Sequence, residues 1–327
     1  GKNLKMNLTK ILSEGTIIHS SGTTGPSKPI YQPVSKIKAA NKIARDVQEI
    51  NKKSKIFVAG HKGMVGSAIL KKLKSKGFSK VILSEKKNLD LLNQDKVFKF
   101  LKKKKPDMVI IAAARVGGIL ANSTFKHKFI YENLQIQNNL IHGSYLAKVK
   151  NLIFLGSSCI YPKFCKQPMK ESDLLSGKLE ETNDAYGIAK IAGIMMCHNY
   201  SKNYKINYQS LMPPNLYGPG DNYNLKSSHF FPALLKKIFL AKAQRKKSIN
   251  IWGTGKPRRE LMFVEDFAEA LIYFINKKIG EKMKINEIIV SIISYFIIGF
   301  KLVEAIFNYE DLVINPQEFI LHKDSEF

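Results

Sequence analysis

One stretch decides the fold, KIFVAGHKGMVGSAILKKL at residues 55–73. Its apolar start predicts a short strand, and its glycines, which recur at every third position, predict a tight turn. The apolar residues that follow have the spacing of a helix. A strand, a glycine-rich turn and a helix in this order direct backbone N–H groups and a helix N-terminus at a phosphate. We therefore expect a dinucleotide cofactor to bind here through Gly60, Lys62, Gly63, Met64, Val65 and Gly66.

Apolar runs alternate with helical patterns along the middle of the chain. Strands are predicted at 81–83, 108–114, 152–155 and 208–211, and a long helix at 125–148. This alternation predicts an α/β fold of the Rossmann type, with a doubly wound parallel sheet. We assign the dinucleotide-binding domain to residues 54–212 and a smaller substrate-binding domain to residues 213–327. Ligands of such sheets bind at the carboxyl ends of the strands, where Ala113 is expected to contact the cofactor.

The chain is strongly basic. Its 53 lysines and arginines against 26 aspartates and glutamates give a formal net charge of +27. Lysine supplies nearly all of the positive charge, whereas proteins that read nucleic acid favour arginine for bidentate contacts. The charge is interpreted as a solvated lysine-rich surface, with attraction of an anionic small substrate as the alternative. Nucleic acid is not expected as a partner.

Three cysteines without metal-ligand spacing indicate a reducing compartment, and we expect a cytoplasmic protein with no metal site. No secretory leader is recognised at the start. The most apolar stretch, residues 288–300, is too short to span a bilayer comfortably. A membrane is therefore not expected as a partner.

A tyrosine and a lysine stand one helical turn apart in the sequence NDAYGIAK. If Asn183 or Asp184 caps a helix there, Tyr186 and Lys190 share one face. The ammonium group is then expected to lower the pKa of the phenol. The spacing alone is more typical of a solvated helix pair.

Two further polar residues, Ser157 and Cys159, follow the apolar run at 152–155. The Ser157 hydroxyl can hydrogen-bond a substrate oxygen beside Tyr186, and a Cys159 thiolate can act as a base next to a ketone. A lone cysteine is otherwise typical of a small buried hydrophobe. Together with the glycine turn, these residues indicate hydride transfer at a carbonyl.

The residues after the second strand bear on the kind of cofactor. Glu85 can accept the ribose 2′-OH of NAD, whereas Lys62 and Lys86 can pair with the 2′-phosphate of NADP. Of the two, we expect NADP(H).

Residues 55–266 resemble the GDP-L-fucose synthase family of extended short-chain dehydrogenases/reductases. The segments that carry the resemblance are FVAGHKGMVGSAI at 57–69, GSSCIYP at 156–162, YGIAK at 186–190, NLYGP at 215–219, SHFFPALL at 228–235 and WGTGKPRRE at 252–260. The resemblance implies NADPH-dependent conversion of GDP-4-keto-6-deoxy-D-mannose to GDP-L-fucose by 3,5-epimerisation and 4-keto reduction. It also implies a homodimer formed through the helices that precede and carry Tyr186.

The same resemblance implies roles for individual residues. Cys159 removes the protons at C3 and C5 of the sugar, and His229, also expected near the cofactor, returns them from the opposite face. Tyr186 supplies the proton for reduction, assisted by Ser157, while Lys190 holds the nicotinamide ribose. The residues implied to bind the GDP-sugar substrate are Asn215, Lys237, Trp252 and Arg259. Lys237 stands where relatives usually carry arginine.

The resemblance does not cover the two ends of the chain. Residues 1–53 contain SSGTTGPSK at 20–28, which is similar to the phosphate-binding loop of adenylate-forming enzymes. We expect this part to be a poorly ordered, foreign extension. After about residue 276 the sequence departs from the family. Two alternative functions stay open: another nucleotide-sugar epimerase or dehydratase, and an inactive remnant that binds dinucleotide.

Overall fold

The computed structural model describes residues 49–167, 169–246, 248–250 and 260–275, together with the backbone of two strands near the start. The chain divides into two units, Gly1–Glu49 and Ile50–Phe327. In the first unit, strand β1 (Thr16–His19) pairs antiparallel with β2 (Pro29–Gln32). The loop at 20–28 lies outside the described residues. The domain boundaries predicted from the sequence stay predictions.

The second unit is built on a five-stranded parallel sheet. Its strands are β3 (Lys55–Ala59), β4 (Lys80–Ile82), β5 (Met108–Ile111), β6 (Asn151–Leu155) and β7 (Asn207–Leu211). Their order in the sheet is β4-β3-β5-β6-β7, and every neighbouring pair is parallel. The predicted Rossmann-type fold is thereby confirmed. The chain moves outward from β3 to β4 and then returns past β3 to β5, which opens a crevice between β3 and β5 at their carboxyl ends.

Helices cover both faces of this sheet. They are α1 (Met64–Ser75), α2 (Gln94–Lys104), α3 (Ile119–Thr124), α4 (Lys126–Leu146), α5 (Asp184–Tyr204), α6 (Phe230–Ala243) and α7 (Val264–Ile275). Two further strands, β8 (Asn215–Tyr217) and β9 (Leu261–Phe263), form a separate parallel pair. In the described part of the chain, no helix has both the length and the apolarity needed to cross a bilayer.

The strand residues alternate between two apolar clusters. Val58 of β3 packs with the side chains of α1 and α7, whereas Phe57 packs with those of α2, α4 and α5. This alternation follows from the two-residue period of a strand. It explains why the central strands are apolar throughout, since both of their faces are covered by helices.

Helices α1 and α7 meet although they are far apart in the sequence. Ile69 and Leu73 of α1 share a buried cluster with Phe267 and Leu271 of α7. Outside this cluster Lys71 pairs with Glu265, 194 positions away, and both Lys72 and Lys76 pair with Glu269 at 2.7 Å. Exposed ion pairs contribute little stability, so the apolar cluster holds the two helices together.

Candidate active site

The glycine turn fits closely against the start of the loop after β5. Gly60 has φ = +88°, and a Cβ atom there would lie 2.6 Å from the Ala113 backbone nitrogen. A Cβ on Gly66 would lie 2.1 Å from the Gly60 carbonyl oxygen. At Gly63 the nearest atom would be 3.5 Å away, which is an ordinary contact. Gly60 and Gly66 are therefore required for close backbone approach, while Gly63 is not.

This approach shortens β5 relative to the sequence prediction. The predicted strand 108–114 ends at Ile111, and residues 112–114 leave the sheet. Ala112 still donates a backbone hydrogen bond to Ala59, and Ala113 then turns along the glycine loop. The predicted cofactor contact Ala113 therefore adjoins Gly60, in the crevice between β3 and β5.

The N-terminus of α1 is open to an anion. The helix begins at Met64 after Gly63, with no side-chain cap and no acidic residue in its first turn. The first N–H groups of a helix have no partner within the helix, so those of Met64, Val65 and Gly66 can donate to a phosphate. The glycine turn leaves room that a Cβ atom would fill, and it lies next to this helix N-terminus. The two features together fit the pyrophosphate of a dinucleotide.

An ion pair joins the glycine turn to the residues that follow β4. The Lys62 Nζ atom is 2.8 Å from a Glu85 carboxylate oxygen, and Lys87 approaches the other oxygen at 3.6 Å. The hydrogen bond from Lys62 holds the pKa of Glu85 below its ordinary value. Lys86 is exposed beside them. Glu85, the acceptor expected for the ribose of NAD, thus pairs with Lys62, one of the donors expected for the 2′-phosphate of NADP.

Lys190 lies in the second turn of α5, and its side chain is buried. It is 3% exposed, and its Nζ atom donates to the Leu155 carbonyl at 2.7 Å. The same atom lies 4.7 Å from the centre of the Phe154 ring and 5.6 Å from that of Tyr186. Burial lowers the pKa of Lys190 to about 7. The predicted shared face of Tyr186 and Lys190 is therefore present.

The expected effect of Lys190 on the phenol is wrong for this geometry. The pKa of Tyr186 is raised, chiefly by burial and further by the nearby Cys159 thiol, while a hydrogen bond with Ser157 opposes the rise. The Lys190 ammonium group is directed at a backbone carbonyl, and burial dominates the titration of both groups. Tyr186 is consequently a protonated hydrogen-bond donor at neutral pH.

Cys159 lies in a 3-10 turn, Ser158–Ile160, between β6 and α5. The Ser157 Oγ atom accepts the Cys159 backbone N–H at 3.3 Å, and the Asn183 side chain donates to the Cys159 Sγ atom at 3.2 Å. A Cβ on Gly187 would come within 2.9 Å of the Cys159 carbonyl, so α5 packs directly on this turn. The structure therefore brings Ser157, Cys159, Tyr186 and Lys190 together at the carboxyl end of β6.

His229 reaches this edge of the sheet from the segment before α6, whose N-cap residue it is. The residue is exposed as a whole, but partial desolvation of its ring lowers the pKa of His229, and the Asp221 carboxylate opposes this shift. Gly118 of the loop after β5 donates to the Ser227 carbonyl at 2.9 Å. A Cβ on Gly118 would lie 2.1 Å from the Ser228 carbonyl oxygen, so this loop locates His229.

The residues expected to bind substrate are less well placed by the structure. The Asn215 side chain donates to the Glu260 carbonyl, and the Lys237 Nζ atom donates to the Asn250 carbonyl, both at 3.0 Å. Trp252 and Arg259 lie outside the described residues. The substrate roles of all four stay predictions. Across the described residues, no cluster of three or more His, Cys, Asp or Glu side chains could hold a metal ion.

Sequence reasoning missed two residues that organise the site. Asn133, buried within α4, accepts the Arg115 backbone N–H at 2.9 Å and donates to its carbonyl at 3.0 Å. It thereby fixes the loop after β5, as expected of a buried amide whose polar atoms need partners. The sequence does not single it out, because the same helix carries several other amides. Asp221 acts on the His229 ring, and its Oδ2 atom is buried without a hydrogen-bond partner in the described regions.

Comparison with known proteins agrees with this geometry. Residues 56–286 match the NAD dependent epimerase/dehydratase family. The chain is 51% identical over 232 residues to a GDP-L-fucose synthase from Sinorhizobium fredii, covering 71% of this chain and 73% of the relative. It is 48% identical over 221 residues to the GDP-L-fucose synthase of Escherichia coli K12, covering 68% and 69%.

A solved structure is similar in the same region. The crystal structure of a GDP-L-fucose synthetase from Naegleria fowleri bound to NADP has a TM-score of 0.65 and 29% identity, and the match covers 72% of each chain. With its glycine turn, its Tyr186–Lys190 pair and this similarity over most of its length, the chain belongs to the NAD dependent epimerase/dehydratase family.

Proposed function

We propose that the chain converts GDP-4-keto-6-deoxy-D-mannose to GDP-L-fucose with NADPH, by epimerisation at C3 and C5 and reduction at C4. The observation that carries the proposal is the grouping of Ser157, Cys159, Tyr186 and Lys190 at the same edge of the sheet as the glycine turn. Relatives named GDP-L-fucose synthase that are about half identical support the substrate. The NADP-bound synthetase structure supports the cofactor.

Epimerisation requires a base and an acid on opposite faces of the sugar. The C4 ketone acidifies the hydrogens at C3 and C5, and the Cys159 thiolate removes them. His229 returns protons from the other face. Ser157 and Tyr186 donate hydrogen bonds to the C4 oxygen and stabilise the enolate charge. The raised pKa of Tyr186 suits this role because the phenol stays protonated and can donate.

Reduction uses the same donors. NADPH, when bound, supplies the hydride that C4 receives. Tyr186 passes its proton to the C4 oxygen, and its phenolate is stabilised by the ammonium form of Lys190. Since the pKa of Lys190 lies near 7, the Lys190 amine can take up a proton and become positively charged when the Tyr186 phenolate forms beside it. Lys190 also holds the nicotinamide ribose in this proposal.

The GDP part of the substrate is assigned to residues 213–327. Asn215, Lys237, Trp252 and Arg259 are the proposed contacts, with Arg259 suited to the diphosphate. We also propose a cytoplasmic homodimer. Supporting a dimer, α4 and α5 expose large apolar side chains; these are Tyr131, Leu146, Ile188, Met195 and Tyr204. Supporting a reducing compartment, Cys159, Cys165 and Cys197 are free thiols.

The test combines turnover with product identification. The full chain is mixed with NADPH and GDP-4-keto-6-deoxy-D-mannose, NADPH consumption is followed, and the product is identified by NMR. The Tyr186→Phe variant is expected to lose about 10²- to 10⁴-fold in kcat, because it lacks the proton donor. Its affinity for NADPH should stay within about twofold of the parent's, since the phenol hydroxyl is not needed for binding.

Each alternative function gives a different result. A product other than GDP-L-fucose would identify another nucleotide-sugar epimerase or dehydratase. A folded protein that binds NADPH in calorimetry, but neither binds nor converts the GDP-sugar, would be an inactive remnant and would overturn the proposal.

A further inference from the structure

We propose that Asn183 is a positioning residue that orients Cys159 and favours its thiolate form. The proposal rests on the proposed role of Cys159 as the base of epimerisation. It concerns a contact between two segments that only the fold brings together, because Asn183 precedes α5 and Cys159 follows β6.

The first observation is that the Asn183 side chain is not used for the helix it precedes. Asn183 is the N-cap residue of α5, and its carbonyl accepts the Gly187 N–H at 2.9 Å. An asparagine here normally also accepts a helix N–H with its side chain, but Asn183 makes no such bond. Asp184 accepts the Ala185 N–H instead, at 2.7 Å.

The second observation is where the side chain goes. Its Nδ2 atom donates to the Cys159 Sγ atom at 3.2 Å. The Oδ1 atom of the same amide is buried and has no hydrogen-bond partner among the described residues. A buried acceptor without a partner is costly, so the hydrogen bond to sulfur is the contact that this amide makes in return.

An amide N–H directed at sulfur changes the chemistry of a thiol. A thiolate can accept this hydrogen bond but cannot donate one, so the contact favours the charged form of the sulfur. The donor is neutral at every working pH, so the effect does not itself titrate. The first turn of α5, packed on the Cys159 turn, adds positive partial charge from its N–H groups.

The ionisable groups described around Cys159 have other partners or stay uncharged, so they do not stabilise its thiolate. Tyr186 interacts electrostatically with the thiol, but burial keeps its phenol protonated. Lys190 is directed at the Leu155 carbonyl, and Asp184 is paired with Lys126 at 2.9 Å. Asn183 is therefore the described group that donates directly to the sulfur.

The test measures the Cys159 thiol without any substrate. The full chain is alkylated with iodoacetamide at a series of pH values, and modification of the Cys159 peptide is followed by mass spectrometry. Because the thiolate is the reactive form, the pH midpoint reports the thiol pKa. Asn183→Ala should raise that pKa by about one to two units, as expected for loss of a hydrogen bond to a charged group.

Asn183→Ala isolates the loss of the donor. Asn183→Asp instead brings a carboxylate beside the sulfur, which would raise the thiol pKa even if Asn183 had only a structural role. In our proposal it removes the donor and adds a negative charge beside the sulfur, so it should raise the thiol pKa more than alanine does. Asn199→Ala, on the exposed side of the same helix, should leave the pKa of Cys159 unchanged. None of the three variants should change the pKa of the Cys165 thiol.

The outcomes distinguish this proposal from the function it rests on. A Cys159 pKa in Asn183→Ala equal to the parent's, in protein with an unchanged melting temperature, would overturn the positioning role. If the pKa order is parent, then alanine, then aspartate, the positioning role is established. Absence of deuterium exchange at C3 and C5 by the parent would then count against the epimerase function alone. If Asn183→Ala does not fold, Asn183→Leu, which is close to asparagine in size and has no donor, replaces it, and a Cys159 pKa equal to the parent's would overturn the proposal.

Discussion

The glycine turn and the group of Ser157, Cys159, Tyr186 and Lys190, called here the Cys159–Tyr186 corner, lie at the same edge of one sheet. They differ in the atoms that make their contacts. At the turn, contacts are made by backbone atoms, and the nearby charges of Lys62 and Glu85 face solvent. At the corner, side chains make the contacts, and Lys190 is almost fully buried. Water weakens charge interactions at the turn, so the fit between backbone atoms should determine cofactor affinity there. At the corner, burial strengthens electrostatic effects, so a single charge should change the free energy of unfolding.

The largest expected effect tests the dominance of shape at the turn. In Gly66→Ala the new Cβ would lie 2.1 Å from the Gly60 carbonyl oxygen, so the turn must open. We expect NADPH affinity to fall by roughly 100-fold or more, and the free energy of unfolding by about 1–3 kcal/mol. Calorimetry with NADPH and urea unfolding measure the two quantities.

Gly63→Ala is the matched control for that change. Its Cβ would meet the Gly60 carbonyl oxygen at 3.5 Å, and Gly63 has an ordinary φ of −76°. We expect NADPH affinity within about threefold of the parent's. Equal losses in both variants would show that the turn needs flexibility rather than close approach.

The next effect tests the importance of buried charge at the corner. The pKa of Lys190 is about 7 in the folded chain and near 10.5 when unfolded, so between these values the unfolded chain holds the extra proton. Its contribution to the free energy of unfolding therefore rises with pH across this window. Lys190→Met should remove a rise of about 1 kcal/mol per pH unit.

Urea unfolding at pH 7, 8 and 9 measures this slope. The control is Lys202→Met, which removes an exposed lysine from the same helix and should keep the slope of the parent. If Lys190→Met also keeps that slope, burial does not control the titration of Lys190, and the contrast between the two regions is lost.

The smallest effect is expected from the exposed ion pair. Glu85→Gln frees Lys62 to meet a 2′-phosphate, so NADPH should bind a few-fold more tightly at low salt. NADH, which lacks this phosphate, should gain nothing and serves as the control. The gain should disappear at high salt; a gain that persists there would mean that this charge is not screened.

Much of the fold could be predicted because its signals are local. The apolar run before Gly60, the glycine spacing and the helical pattern after it lie within twenty residues, and the strand–turn–helix unit forms there. The gathering of Ser157, Cys159, Tyr186 and Lys190 could be predicted as well. It follows from polar residues at a strand end and a tyrosine–lysine spacing on the next helix.

The remaining features depend on contacts between distant segments. Residues 112–114 were predicted as strand from their apolarity, but the close approach of Gly60 turns them out of the sheet. Asn183 or Asp184 was expected to cap α5, and Asn183 is the N-cap residue, but its side chain donates to the Cys159 sulfur and makes no cap hydrogen bond. The rise in the pKa of Tyr186 depends on how deeply the phenol is buried, which spacing does not encode.

The pairing of α1 with α7 has a consequence for how the chain is made. Lys71 and Glu265 are separated by 194 positions, so a ribosome adding roughly 5–20 residues per second delivers α7 about 10–40 s after α1. Until then Ile69 and Leu73 lack their cover from Phe267 and Leu271. The nascent chain thus exposes an apolar face throughout this interval, and this half of the core closes only at its end.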